Sequence, residues 1–396
     1  MRWSVGIAAL LAVSCAMPDA GGAESQAANT ASPQPFAPAK TPAQTGQIWS
    51  GTVGGIPITA CFDNAETDEG IYYYNAHLRP LRLVQIDENT PSVLTEIEGY
   101  RDQSGATWTI DAKADQRIAG TWRSGDRELP IELSASPVDL PEFDGPCASA
   151  AFVEPLLVGG SAGDSRASFD GAAYTKLVYT GPPHLGGDDY LVETIALDPV
   201  QAGDRAINTA LAKALPDGSV GHHMGQCLGM HMPGGGKGYL NETITPALIT
   251  DQWLSIERAG STFCGGAHPS HFFTLAAYDR SSGNEADPST WFKPDALLFY
   301  EFESEDGPLR PRPIAGLSEA LVDKVQANWP HAAGSECPSA VRTQMGWTLG
   351  LAKDGVVFVP QLPHVIFACT DAITVPWDEL APFLSDAGQD VRGSLQ

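Results

Sequence analysis

Several groups of residues in this sequence have the types and spacing that chemistry needs. The densest is Gly221-His222-His223-Met224-Gly225-Gln226-Cys227-Leu228-Gly229-Met230-His231-Met232. On a helix, His223, Cys227 and His231 would share one face at i, i+4 and i+8, a start for zinc or copper. Interior glycines at 225 and 229, and the run Gly234-Gly235-Gly236, oppose a helix at about 1 kcal/mol each. The expectation is therefore a glycine-rich loop held by Cys227, with no metal and no other cofactor. Gly159-Gly160-Ser161-Ala162-Gly163 matches the G-x-S-x-G elbow of serine hydrolases, after apolar Leu156-Leu157-Val158. The helix that should follow the serine is missing, because Asp164 to Gly171 is polar and broken, so Ser161 reads as part of a connector. Glu96, Glu98, Asp102 and Glu242 are candidate carboxylates for sugar or peptidoglycan chemistry, which needs two of them a few ångström apart. Spacing along the chain cannot show such a pair, and no catalytic residue is assigned.

Two further patterns are turns. Gly234 to Gly238 has the glycines and lysine of a phosphate loop, but no Ser or Thr follows Lys237. Asp63 to Gly70 has the carboxylates of a calcium loop without the ligand order. His268 and His271 flank Pro269-Ser270 just after Cys264-Gly265-Gly266. Two imidazoles beside a glycine-rich turn can form a recognition surface, and Gly265, Gly266, His268 and His271 are the candidate binding residues. Each histidine can equally be a satisfied structural group at a strand start.

The elements that must position these residues begin with export. Arg2 precedes an apolar run, Val5 to Val13, that ends in Ser14-Cys15-Ala16. This reads as a signal peptide over 1–14, too short to span a bilayer. Ala12-Val13-Ser14-Cys15 is a degenerate lipoprotein box, so lipidation at Cys15 is the favoured reading and free secretion the alternative. Residues 15–45 are Ala, Gly, Ser, Pro, Gln and Thr with hardly an aromatic, the composition of a disordered tether. No later segment approaches the ~20 apolar residues of a membrane helix. The expected location is the periplasm or the outer membrane as a lipoprotein, touching the membrane only through its anchor.

Six cysteines follow Cys15: Cys61, Cys147, Cys227, Cys264, Cys337 and Cys369. An even number in an exported chain implies disulfides. Connectivity is open in principle, but the order of the cysteines suggests sequential pairs, 61 with 147, 227 with 264, and 337 with 369. The 48 acidic against 23 basic residues leave a formal charge of -25. Such a surface repels nucleic acid and anionic lipid, and it attracts a basic extracellular or periplasmic protein. An acidic exterior kept only for solubility has the same composition.

Residues 46–147 show short β-rich runs separated by turn signals such as Gly54-Gly55 and Ser124-Gly125-Asp126, the rhythm of an antiparallel meander or small barrel. Residues 148–170 read as a linker. Residues 171–386 mix strands and helices. Tyr190 to Leu197 is strand-like, and Ile207, Leu211 and Leu215 mark a helix stopped by Pro216-Asp217-Gly218. Leu317, Leu321 and Val325 mark another. Thr348 to Leu351, Lys353-Asp354-Gly355 and Val356 to Val359 form the strongest hairpin signal. Pro376-Trp377-Asp378-Glu379-Leu380 opens a short helix, and 387–396 read as a disordered tail. The fold class is α+β, a β-rich N-terminal module followed by a mixed α+β domain.

Gly265-Gly266-Ala267-His268 with its aromatic strand, Asp279-Arg280-Ser281-Ser282-Gly283, Trp347 to Val359, Leu362-Pro363-His364 and Ile373 to Leu380 together resemble the RsiV-like C-terminal domain. That domain of unknown function is shared by the lysozyme-sensing anti-sigma factor RsiV and many bacterial envelope proteins. The resemblance spans about residues 174–384. It implies an α+β domain acting outside the cytoplasmic membrane and binding protein, lysozyme for at least one member. RsiV-type receptors also carry a membrane helix and a sigma-binding segment, which this sequence lacks, and its extra cysteines and leading β module suggest a different partner or geometry. The expected function is non-catalytic binding in the cell envelope, possessing as its candidate partner a basic muramidase such as lysozyme. An envelope enzyme working through paired carboxylates, or a structural module without ligand, are the alternatives.

Overall fold

The first eight strands are β1 (Thr45–Val53), β2 (Ile56–Phe62), β3 (Gly70–Tyr74), β4 (Leu81–Val84), β5 (Val93–Glu98), β6 (Asp102–Ala114), β7 (Arg117–Ser124) and β8 (Arg127–Asp139). Each pairs antiparallel with the next, and β8 returns to pair with β1 from Thr45↔Asp139 to Val53↔Ile131, which closes a barrel. Eight strands leave an interior just wide enough for side chains. Val53, Ile58, Tyr72, Leu83, Leu94, Trp108, Ile118 and Ile131 fill it. The small barrel expected from the alternating runs is present. In the computed structural model, the described residues are 45–62, 69–87, 89–90, 92–98, 102–114, 116–140, 145–234, 238–300, 313–329, 337–342 and 346–395. The signal peptide, Cys15 and the tether lie outside them, as do most of the acidic turn at 63–68 and Gly235 to Lys237.

The stretch 148–170, expected as a linker, is folded. Helix α1 (Ala150–Val153) and a 3₁₀ turn (Glu154–Leu157) bury Phe152, Val153, Leu156 and Leu157. These side chains join barrel residues Ile48, Cys61, Ile71 and Tyr73 to Tyr190, Val192, Met224, Leu228 and Leu240 in one core. Four large apolar side chains in eight residues carry more burial free energy than the Pro, Gly and Ala around them suggest, about 1.5–3 kcal/mol each.

A six-stranded sheet follows, with spatial order β14-β13-β12-β11-β10-β9. Its first strands are β9 (Ser161–Phe169), β10 (Ala172–Thr180) and β11 (Tyr190–Leu197). After β11 come α2 (Asp204–Ala212) and α3 (His223–Gly234), then β12 (Tyr239–Ile249), β13 (Trp253–Phe263) and β14 (Ser270–Asp279). Only β11 and β12 run parallel, because the two helices supply the crossover that parallel strands need.

The last sheet orders β15 (Leu297–Phe299), β16 (Ile314–Leu317), β17 (Trp347–Leu351), β18 (Gly355–Pro360) and β19 (Ile373–Pro376). Helices α4 (Glu319–Ala327), α5 (Cys337–Arg342), α6 (Trp377–Leu380) and α7 (Asp386–Ser394) complete the chain. The predicted hairpin is present: Lys353 and Asp354 turn between β17 and β18, and the Ala352 amide donates to the Gly355 carbonyl. The expected disordered tail is instead α7. Ser385 caps it by accepting from the Gly388 amide, Val391 is buried, and the Ser394 hydroxyl accepts from Trp253 Nε1 at 2.8 Å. Ala43–Gln396 forms one compact unit, and the fold is α+β. Among the described residues no helix is long and apolar enough to cross a membrane.

Candidate functional site

The cysteines pair as their order suggests: Cys61–Cys147, Cys227–Cys264 and Cys337–Cys369. Such crosslinks are compatible with export to an oxidising compartment. The second pair defines the site. It ties α3 to the residue after β13, where Cys264 to Pro269 connect β13 to β14. Gly265 and Gly266 have φ of 102° and 92°, the left-handed region that favours glycine. A Cβ on Gly265 would also stand 3.1 Å from the Met230 carbonyl oxygen, so the turn lies against α3.

At the other end of the connection, the His271 ring stacks on Phe367 with centroids 5.4 Å apart. Phe367 belongs to the 3₁₀ segment His364–Cys369, which Cys369 ties to α5. Gly265, Gly266 and His268 therefore lie on this connection and His271 at the start of β14, between two disulfide-bearing elements. Gly266, His268 and His271 are exposed, as are Met230 at 48% and Val365 at 86%. This part of the surface thus exposes two imidazoles together with apolar side chains.

Under this connection the sheet holds a charged cluster. Glu242 on β12 is buried and accepts from Arg258 Nε at 2.6 Å and Nη2 at 3.0 Å, with His223 Nδ1 3.6 Å away. Arg258 stands opposite Ile244 and Glu242 opposite Gly260, so the pair meets diagonally across β12 and β13. Gly260 carries no side chain because the Phe272 ring crosses it, and Arg258 lies over that ring at 5.5 Å. Burial pushes the Glu242 carboxyl up, but the nearby His223 and the hydrogen-bonded Arg258 outweigh burial and hold it below its usual range.

The histidine-rich stretch is a helix, not a loop. Its glycines serve close packing: a Cβ on Gly225 would meet the Ser219 carbonyl at 2.3 Å, and one on Gly229 the Ala148 Cα at 3.3 Å. The disulfide and that contact offset the propensity cost. The three side chains nevertheless do not converge on a metal. Cys227 is oxidised, His223 faces Glu242, and His231 Nε2 lies 3.0 Å from the Tyr190 hydroxyl. Among the described residues no group of three His, Cys, Asp or Glu could hold an ion.

His231 is buried, with Nδ1 lacking a partner, and burial pushes its pKa down to about 4. The folded value lies below the unfolded one, so protons bind the unfolded chain more readily and stability falls as pH drops through this window. Between pH 7.5 and 4.5 the loss attributable to His231 is expected to be about 2–3 kcal/mol. Urea unfolding of His231→Gln, which retains an acceptor for Tyr190, should show a flatter pH dependence by that amount. Parallel curves for the two proteins would contradict the assignment.

The remaining candidates are dispersed. Glu96 lies inside the barrel, accepting from Tyr72 and from Trp122 Nε1 at 3.1 Å, while Glu98 pairs with Arg79 at 2.5 Å on the surface. Burial, reinforced by the Glu96 carboxylate, raises the Tyr72 pKa far above its usual value. The Asp102 side chain lies outside the described residues, and Glu242 belongs to another core. Ser161 opens an exposed strand, not an elbow. An open groove of about 460 Å³ beside α2 is lined by Thr209, Lys213, Asp217, Ser219 and His222, so it holds one carboxylate. Sequence reasoning missed the Glu242–Arg258 pair, which depends on the β12–β13 register.

No protein-family model matches the chain, and no curated protein matches it. Solved structures similar to it include a DUF3298 family protein from Pseudomonas aeruginosa PAO1, at 14% identity and TM-score 0.29. That match covers 57% of this chain and 94% of the other. A DUF3298 family member from Bacteroides fragilis is 12% identical with TM-score 0.35, over 60% and 96% of the two chains. At these scores the likeness assigns no function.

Proposed function

We propose that this protein is a non-catalytic binding protein of the bacterial cell envelope, that the connection Cys264 to His271 is its recognition surface, and that its partner is a basic muramidase such as lysozyme. The observation that supports this reading is the bracing of that connection between Cys227–Cys264 on one side and the His271–Phe367 stack on the other. A surface already fixed in its bound shape loses little conformational freedom on binding. The formal charge of -25 favours a basic partner by steering its encounter. The resemblance of residues 174–384 to the RsiV-like domain points to the same partner class. Lipidation at Cys15 would hold the chain in the envelope, where such a partner arrives from outside.

The test is capture of lysozyme by the immobilised full chain at low salt and at about 0.15 M, where the Debye length is about 8 Å. Binding at low salt that weakens at the higher concentration is expected. Replacing His268 and His271 together by alanine should slow association little and speed dissociation, since the short-range contacts are lost and the net charge is kept. Absence of capture at low salt removes lysozyme as partner. Capture indifferent to the double substitution moves the surface elsewhere.

A further inference from the structure

The six-stranded sheet ends on β9, and among the described residues no strand pairs with its outer edge. Such an edge presents a row of unpaired backbone groups. Proteins commonly blunt it with lysine, proline or a bulge. The β9 sequence, Ser-Ala-Gly-Asp-Ser-Arg-Ala-Ser-Phe, has neither residue, and its register with β10 runs from Ser161↔Thr180 to Phe169↔Ala172 without a shift.

The hairpin geometry says which groups face outward. Asp170 and Gly171 form a two-residue turn with φ of 46° and 84°, the type I′ pattern. Phe169 and Ala172, which flank that turn, form a hydrogen-bonded pair, and bonded and non-bonded pairs alternate from there. Ser161, Gly163, Ser165 and Ala167 therefore turn their amides and carbonyls to β10. Ala162, Asp164, Arg166 and Ser168 turn theirs outward.

We propose that β9 pairs antiparallel with β9 of a second copy, about a two-fold axis through Ser165. In this register Asp164 of one copy faces Arg166 of the other, twice by symmetry, and Ala162 faces Ser168. All four outward residues of each strand then find a hydrogen-bonding mate. The strand is its own electrostatic complement only in this register. A slip of two residues one way places Asp164 against Asp164, and the other way Arg166 against Arg166, and like charges directly opposite destabilise a pair. The Arg166 guanidinium is fixed within its own sheet, reaching across β10 toward the end of β11. Its Nη1 donates to Thr175 at 3.0 Å and to Asp198 at 2.8 Å, and Nη2 to Asp198 at 2.7 Å. Of the five guanidinium donors, those bonds leave two for the second Asp164. Small side chains at Ala162, Gly163, Ser165, Ala167 and Ser168 let the backbones approach. The interface is isologous and closes on two copies, which joins the two six-stranded sheets into one.

Sedimentation equilibrium of the full chain over a concentration series should show a species of twice the 41.8 kDa chain mass. Asp164→Lys, which sets lysine against Arg166, should raise the dimer dissociation constant about tenfold or more. Arg166→Glu should do the same by placing Glu against Asp164, and mixing the two variants should restore association as a heterodimer. Ser165→Cys supplies an independent readout. The residue faces itself in a non-hydrogen-bonded pair, where Cα atoms are about 4.5 Å apart, inside the ~4.4–6.8 Å disulfide range. It should form a covalent dimer on a non-reducing gel that the unsubstituted chain and Asp164→Cys do not form. A monomer at every concentration overturns the proposal. So does a dimer whose dissociation constant is unmoved by Asp164→Lys in protein that melts like the parent.

Discussion

Replacing Cys61 and Cys147 together by alanine is expected to lower the unfolding free energy by about 4–5 kcal/mol, the most of the three disulfides. The bond spans 86 residues, against 37 for Cys227–Cys264 and 32 for Cys337–Cys369. Loop-closure entropy rises with the logarithm of that span, so the shorter loops are worth about 1 kcal/mol less each. Position adds to span. Both cysteines are fully buried in the core that joins the barrel to the helix-covered sheet, with Ile48, Phe152, Leu156 and Tyr190. Releasing them frees the Pro146 to Leu157 segment from the barrel wall. Against a total stability of about 5–15 kcal/mol this is a large fraction. Urea unfolding of the three double-alanine variants checks the order. Equal or greater loss from the Cys337/Cys369 variant would refute the account.

Asp204→Ala is expected to cost about 3–5 kcal/mol, because it strands a buried guanidinium. Asp204 is fully buried and Arg280 is 7% exposed. Arg280 Nε donates to Asp204 Oδ1 at 2.8 Å and Nη2 to Oδ2 at 2.9 Å, while Nη1 donates to the Thr250 carbonyl. The carboxylate also accepts from the Val200 and Gln201 amides, which fixes the entry to α2. Burial pushes the Asp204 carboxyl up, but the hydrogen bonds from Arg280 and these amides outweigh it and hold the group below its usual range. Its folded pKa is depressed, so its contribution is present above the unfolded value and is lost as pH falls through the folded one. A paired apolar replacement, Asp204→Leu with Arg280→Met, should recover most of the loss, since an ion pair replaced as a unit leaves no orphaned charge. If the double variant is as unstable as Asp204→Ala, the cost lies in the lost amide contacts of the α2 entry instead.

Much of the architecture is written in local patterns. The alternating runs of 46–147 have the period of two that a half-buried strand needs, and the barrel follows. Ile207 and Leu211 recur four residues apart, and both are buried in α2. The Lys353-Asp354-Gly355 turn sets its hairpin because it separates two apolar strand-period runs by the two residues a tight hairpin needs, and they pair from Leu351↔Val356. Asp170-Gly171 carries the same signal, and it was obscured by the polar, small residues on either side. An edge strand exposed along its length needs no apolar face, so β9 has no periodicity to read.

The amino-acid sequence by itself determined the β-rich opening, the α+β class, the even set of cysteines and the acidic charge, because each rests on composition or on contacts within a few residues. Tertiary structure alone decided that 148–170 is folded, with 148–157 in the core and 161–169 an edge strand, that α3 is a helix despite its glycines, and that 387–396 ends in a packed helix. It also decided which carboxylate meets which cation. In each of those cases the deciding free energy comes from burial, a crosslink or an ion pair with residues distant in the chain. Glu242 meets Arg258 only through the β12–β13 register, and Asp204 meets Arg280 across 76 positions. Such long-range terms outweigh local propensity by several kcal/mol and leave no trace in the spacing of neighbouring residues.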